Sequence, residues 1–171
     1  MKGLFYGLIG GEDNIMPCMK WKRLNSKQLG QYAEYYAKME FASYGYDIYT
    51  SEVDDHGVDF LARNIQTEDI YRVQVKSLLR GSYTFIKKDK MKPCKNNLVC
   101  LLHFVEDELP KVYVIPVIVL ENKGQDGNGK LFVSHDDYKK PEWGINCSKK
   151  NLSLLDEYSV EKYFKREMKM L

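Results

Sequence analysis

Residues Ile70-Tyr71-Arg72-Val73-Gln74-Val75-Lys76-Ser77-Leu78 decide how this chain is read. Tyr71, Val73, Val75 and Ser77 alternate with Arg72, Gln74, Lys76 and Leu78, a period of two that predicts a strand. Gln74 and Lys76, two apart, therefore share a face. Just upstream, Val58-Asp59-Phe60-Leu61-Ala62 predicts a second strand with one acid set among apolar residues. The polar turn Arg63 to Asp69 joins the two as a hairpin. That hairpin lets Asp59 face the Gln74–Lys76 side, so that a carboxylate, an amide oxygen and an ammonium converge at one sheet end.

Working outward, residues 27–44 predict a helix. Asn25 caps its first turn with Gln28 three residues on, as in a capping box. Leu29, Ala33, Tyr36, Ala37 and Phe41 recur at helical spacing, and Gly45 stops the helix. Tyr46 to Tyr49 reads as a short strand, Glu52 to His56 as an acidic turn closed by Gly57, and Tyr83 to Ile86 as a further short strand. Leu98 to Phe104 is a nearly continuous apolar run, which suits a central strand covered on both faces. Val112 to Ile115 pairs with it, Pro116 opens a short helix through Leu120, and residues 121–130 form a glycine-containing loop. One helix is expected over 154–168. This order predicts an α/β fold around one central mixed sheet flanked by helices. Residues 1–24 read as a loose extension and 25–171 as a single domain.

The 171 residues are 44% hydrophobic and 29% charged, which excludes wholesale disorder. Lys and Arg number 26 against 24 Asp and Glu, a net charge of +2, so a histone-like, purely electrostatic nucleic-acid binder is excluded. A mean hydropathy of -0.48 and the absence of a long apolar run predict no transmembrane helix. The four cysteines, at 18, 94, 100 and 147, lack zinc-ligand spacing and read as free thiols of a reducing, cytoplasmic protein. No secretory signal is expected at the N-terminus.

Each polar candidate also has an ordinary reading. Glu34, mid-helix, pairs with Lys38 at i, i+4, and Glu40 is a second helix acid. Asp59 pairs with Arg63 or Arg72, although an acid amid Val, Phe and Leu is expensive unless paired or ligated. Lys76 guards an edge strand, and Gln74 is an exposed strand residue. Asp54, Asp55 and His56 read as a solvated turn, since consecutive turn residues seldom point at one ion. His103 and His135 read as a strand and a loop residue.

Taken together, four stretches resemble the PD-(D/E)XK nuclease superfamily: Gly30 to Glu34 in the first helix, Tyr44-Gly45-Tyr46 after it, Asp55 to Phe60, and Val73-Gln74-Val75-Lys76-Ser77. The resemblance covers about residues 25–120. It looks closest to small uncharacterised bacterial members with a Gln-x-Lys last motif, and more distantly to Holliday-junction resolvases. It implies a restriction-endonuclease-like core and a metal-dependent endonuclease that hydrolyses phosphodiester bonds in DNA. By that resemblance Asp59, Gln74 and the backbone carbonyl of Val75 hold Mg²⁺ or Mn²⁺, while Lys76 orients the attacking water and stabilises developing charge. Glu34 holds a metal-bound water or completes the shell. Gln74 stands where most relatives carry an acid. This departure keeps an alternative open: a catalytically silent nuclease fold that binds nucleic acid or a protein partner.

After the third strand, residues 79–95 carry six cations (Arg80, Lys87, Lys88, Lys90, Lys92, Lys95) against Asp89, a local charge of +5. Arg80, Lys87, Lys88 and Lys90 are the expected phosphate contacts, and Tyr83 and Phe85 suit stacking on a frayed base. DNA is the expected partner, and a homodimer is left open because cutting both strands often pairs two sites.

Overall fold

The computed structural model describes residues 17–50, 57–121 and 131–169. The acidic turn expected over 52–56 and the loop expected over 121–130 lie outside the described residues, save Glu121. Helix α1 (Ser26–Ser43) begins at the Asn25–Gln28 capping box and buries Leu29, Ala33, Ala37 and Phe41. After it, Gly45 takes a left-handed φ of 84°. Strands β1 (Tyr46–Tyr49), β2 (Phe60–Asn64), β3 (Ile70–Leu78), β5 (Asn97–His103) and β6 (Lys111–Pro116) form a five-stranded sheet in the order β1-β2-β3-β5-β6. Only β3 and β5 run parallel, and every other neighbour is antiparallel. β5 is buried from Asn97 to Leu102, as its apolar run predicts.

One face of this sheet packs on α1 and on α4 (Val160–Lys169), with Phe60, Val73, Cys100 and Val114 pointing into that core. The other face packs on a second, three-stranded sheet: β4 (Tyr83–Lys87), β8 (Glu142–Asn146) and β7 (Phe132–His135), in that order. The short helices α2 (Val117–Glu121) and α3 (Leu152–Leu155) close that core. The fold is thus a mixed sheet flanked by helices, with an additional small sheet that the residue pattern does not announce.

Two further expectations change. The helix expected over 154–168 is broken into α3, a 3-10 turn at Asp156–Tyr158, and α4. The break falls at Ser159, which is extended (φ -54°, ψ 145°) and bridges to Tyr113 of β6. The loose extension expected over 1–24 ends earlier than residue 24. Trp21 is 1% exposed, stacks edge-on with Phe104 and donates its indole N–H to the Glu108 carbonyl at 2.8 Å.

Candidate active site

The β2–β3 register pairs Phe60 with Val73, and both side chains enter the core beneath α1. Side chains alternate along strands, so Gln74 and Lys76, one and three residues past Val73, face the opposite side. The backbone N–H of Asp59 donates to the Val73 carbonyl at 2.9 Å. In return, the Val75 N–H donates to Asp59 Oδ2 at 2.5 Å. The Asp59 carboxylate therefore caps β3 where its pairing with β2 ends. Val75 presents its N–H and its carbonyl to the same edge, as every strand residue does. The carboxylate acts across the sheet: it contributes to raising the Cys100 thiol on the α1 side, after burial and Glu40, and it supports the charge of Lys76 on the other.

Lys76 is half-buried. Burial is the main influence and pushes its ammonium below the usual lysine value; Asp59 opposes that shift and Lys87 adds to it. Its Nζ stands 6.0 Å from the ring centre of Phe85 on β4. Beside it, the Gln74 side-chain oxygen is buried and accepts no hydrogen bond from the described residues. Such an acceptor is rare in folded proteins and is met by a bound water or by an ion. Gly57 closes this corner with a φ of 71°, and a Cβ there would stand 3.0 Å from Gln74 Nε2 and 3.3 Å from Lys90 Cβ. The glycine is thus required twice, by its backbone and by its neighbours.

The four expected phosphate contacts separate. Arg80 is exposed in the β3–β4 turn, Lys87 is exposed at the end of β4 within electrostatic reach of Lys76, and Lys90 packs its stem on Gly57. Lys88 is different. Its ammonium bonds to Asp136 and Ser134 and lies 3.8 Å from the Trp143 ring centre. The expectation that Lys88 meets phosphate is corrected: it ties β4 to β7 and β8.

Glu34 is half-buried on α1, the helix that covers the Phe60–Val73 face. Glu40, the second helix acid, is raised by burial first and by Glu161 of α4 second, so it belongs to the α1–α4 seam. His103 is lowered by burial, and Lys111 pushes in the same direction. Among the described residues no three His, Cys, Asp or Glu side chains gather as a metal cluster. The oxygens that this end of the hairpin carries are the Asp59 carboxylate, held on the Val75 N–H, the Gln74 amide oxygen and the Val75 carbonyl. All are hard oxygens, the donor type that Mg²⁺ and Mn²⁺ prefer. The double demand on Gly57 is not evident from the residue pattern, although a glycine two residues upstream of Asp59 is its visible trace.

No family model matches the chain, and no curated protein matches it. Among solved structures, a bacterial homing endonuclease aligns over 84% of this chain and 93% of its own, at 16% identity and a TM-score of 0.48.

Proposed function

We propose that this protein is a metal-dependent endonuclease that hydrolyses phosphodiester bonds in DNA. The observation that carries the reading is the buried Gln74 oxygen, without a hydrogen bond from the described residues, on the strand face it shares with Lys76. An isolated amide oxygen in such a place costs the fold about 1–3 kcal/mol, and a bound cation would recover it. Asp59, Gln74 and the Val75 carbonyl would hold Mg²⁺ or Mn²⁺; Glu34 sits on α1 against the opposite face of the sheet, so a part for it in the ion's shell rests on the motif resemblance alone. When bound, such an ion polarises the phosphoryl oxygens and lowers the pKa of water. The chain's own groups do the rest. The Val75 N–H fixes the Asp59 carboxylate in one orientation. Lys76, half-buried and held beside that carboxylate, supplies a preorganised positive charge for the oxygens that become more negative as water attacks. Its lowered proton affinity also suits it to hold and orient that water. Arg80, Lys87 and Lys90 then meet the flanking phosphates.

A second reading has its own observation. Gln74 is neutral, and one carboxylate is all that the described cluster offers. A silent nuclease fold that binds DNA without cutting fits that donor set as well. Linear, nicked, single-stranded and branched DNA, each incubated with Mg²⁺, Mn²⁺ or chelator, separate the two. Cleavage that needs the ion and disappears in Asp59→Asn supports the enzyme. Calorimetry showing that Mn²⁺ does not bind the wild type would sink it. Cutting both strands of a duplex calls for two such sites, so we expect a pair of chains on that substrate, which gel filtration with and without DNA reads. Cys18, Cys94, Cys100 and Cys147 are all free, in keeping with a reducing compartment such as the cytoplasm. Among the described residues no helix is long and apolar enough to cross a membrane.

A further inference from the structure

The outer face of the small sheet carries a row of aromatic rings that starts at Lys76. On β4, Phe85 and Tyr83 point outward and are 41% and 40% exposed, far more than packing in a core would allow. Phe85 lies opposite Gly144 of β8. Tyr83 lies flat over the same glycine, where a Cβ would come within 2.1 Å of its hydroxyl oxygen. The Tyr83 hydroxyl donates to Glu142 at 2.8 Å, which fixes the ring. The next ring is His135 of β7, with its centre 6.4 Å from that of Tyr83. Tyr138 then stacks on His135 at 4.4 Å and 4° and is 52% exposed. Tyr83 is held by the Gly144 backbone and by Glu142, and His135 and Tyr138 by each other.

Charge complements the row. Arg80, Lys87, Lys139 and Lys140 are exposed around it. Of the nearby acids Asp136 is paired with Lys88, which leaves Asp89, Asp137 and Glu142 against four cations. We infer that this face holds an unpaired DNA strand, its bases stacked on Phe85, Tyr83 and Tyr138 and its phosphates on the flanking cations. A duplex hides its base faces, whereas a single strand offers them, and stacking on aromatics is indifferent to sequence. The inference rests on the nuclease reading for its choice of DNA. It narrows the substrate to DNA with a single-stranded segment running from the cut.

The experiment measures binding in chelator, so that cleavage plays no part. Fluorescence anisotropy compares a labelled oligothymidine of about twelve nucleotides, within the usual span of one single-strand site, with a hairpin duplex of equal length. The single strand should bind more tightly. Phe85→Ala and Tyr138→Ala should each weaken it about tenfold, the scale of one lost base–aromatic stack. Phe85→Tyr and Tyr138→Phe, which keep a ring, should retain wild-type affinity. Equal or tighter binding of the duplex by the wild type would overturn the inference, as would unchanged single-strand affinity in both alanine variants. The nuclease reading fails separately. Ring-dependent strand binding without any metal-dependent cleavage would sink that reading and leave this one, and duplex cleavage without ring dependence would do the reverse.

Discussion

Replacing Gln74 by Met tests the buried amide oxygen directly. The two side chains are nearly the same length, so packing against Gly57 is largely preserved while the unpartnered oxygen is removed. A buried acceptor without a donor costs about 1–3 kcal/mol. In chelator, Gln74→Met should therefore be the more stable protein by ~2 kcal/mol, which for a chain of this size raises Tm by about 4–8 °C. A divalent ion reverses the order. Saturation at a hundred times the dissociation constant stabilises the wild type by about 2.7 kcal/mol, and the thioether, a poor ligand for Mg²⁺, forfeits most of that gain. Thermal melts of both proteins in chelator and in Mg²⁺ should thus cross. If Gln74→Met melts lower in chelator and both proteins gain equally from Mg²⁺, the oxygen is neither a strained orphan nor a ligand, and the proposed metal site is wrong.

Lys76→Met should raise stability at neutral pH, because a half-buried ammonium is removed, yet lower cleavage by about 10²–10³-fold, the scale of one preorganised charge. Lys76 also sets a pH dependence. Its folded value is lowered, so between that value and the ordinary 10.5 the unfolded chain holds more protons, and stability rises with pH across that window. Denaturant midpoints against pH should show the rise in the wild type and its loss in Lys76→Met. Asp59→Ala removes the acceptor of the Val75 N–H and should cost about 1.5–3 kcal/mol by urea unfolding, together with all Mn²⁺ binding by calorimetry. Lys87→Ala should lower the slope of log affinity against log salt for duplex DNA by about 0.9. Lys88→Ala should leave that slope unchanged and instead lower Tm, since its ammonium serves Asp136, Ser134 and Trp143.

What the chain determines locally is the alternation of 70–78, the capped helix ending near Gly45, and the acid placed one residue before Phe60. Each depends on neighbours within a few positions, and the backbone geometry of a strand or helix turns such spacing into a shared face. Hence the common side of Gln74 and Lys76 is legible from their spacing alone. The small sheet is not. Its strands β7 and β8 have four and five residues and include Ser134, Glu142, Gly144 and Asn146, so neither alternation nor apolar content marks them. They exist because β4 offers an edge and the far face of the main sheet offers Leu78, Leu101 and Ile115 to cover. The break at Ser159 has a similar origin: pairing with Tyr113 outweighs continued helix. Lys88 looks like its neighbours in sequence because its partners, Ser134 and Asp136, lie 46 and 48 positions away. The approach of Phe85 to Lys76 and of Lys90 to Gly57 likewise depends on chain crossings that close only when both cores are packed. Spacing along the chain brings together the groups within one hairpin, and only the tertiary structure brings the rings and cations beside them.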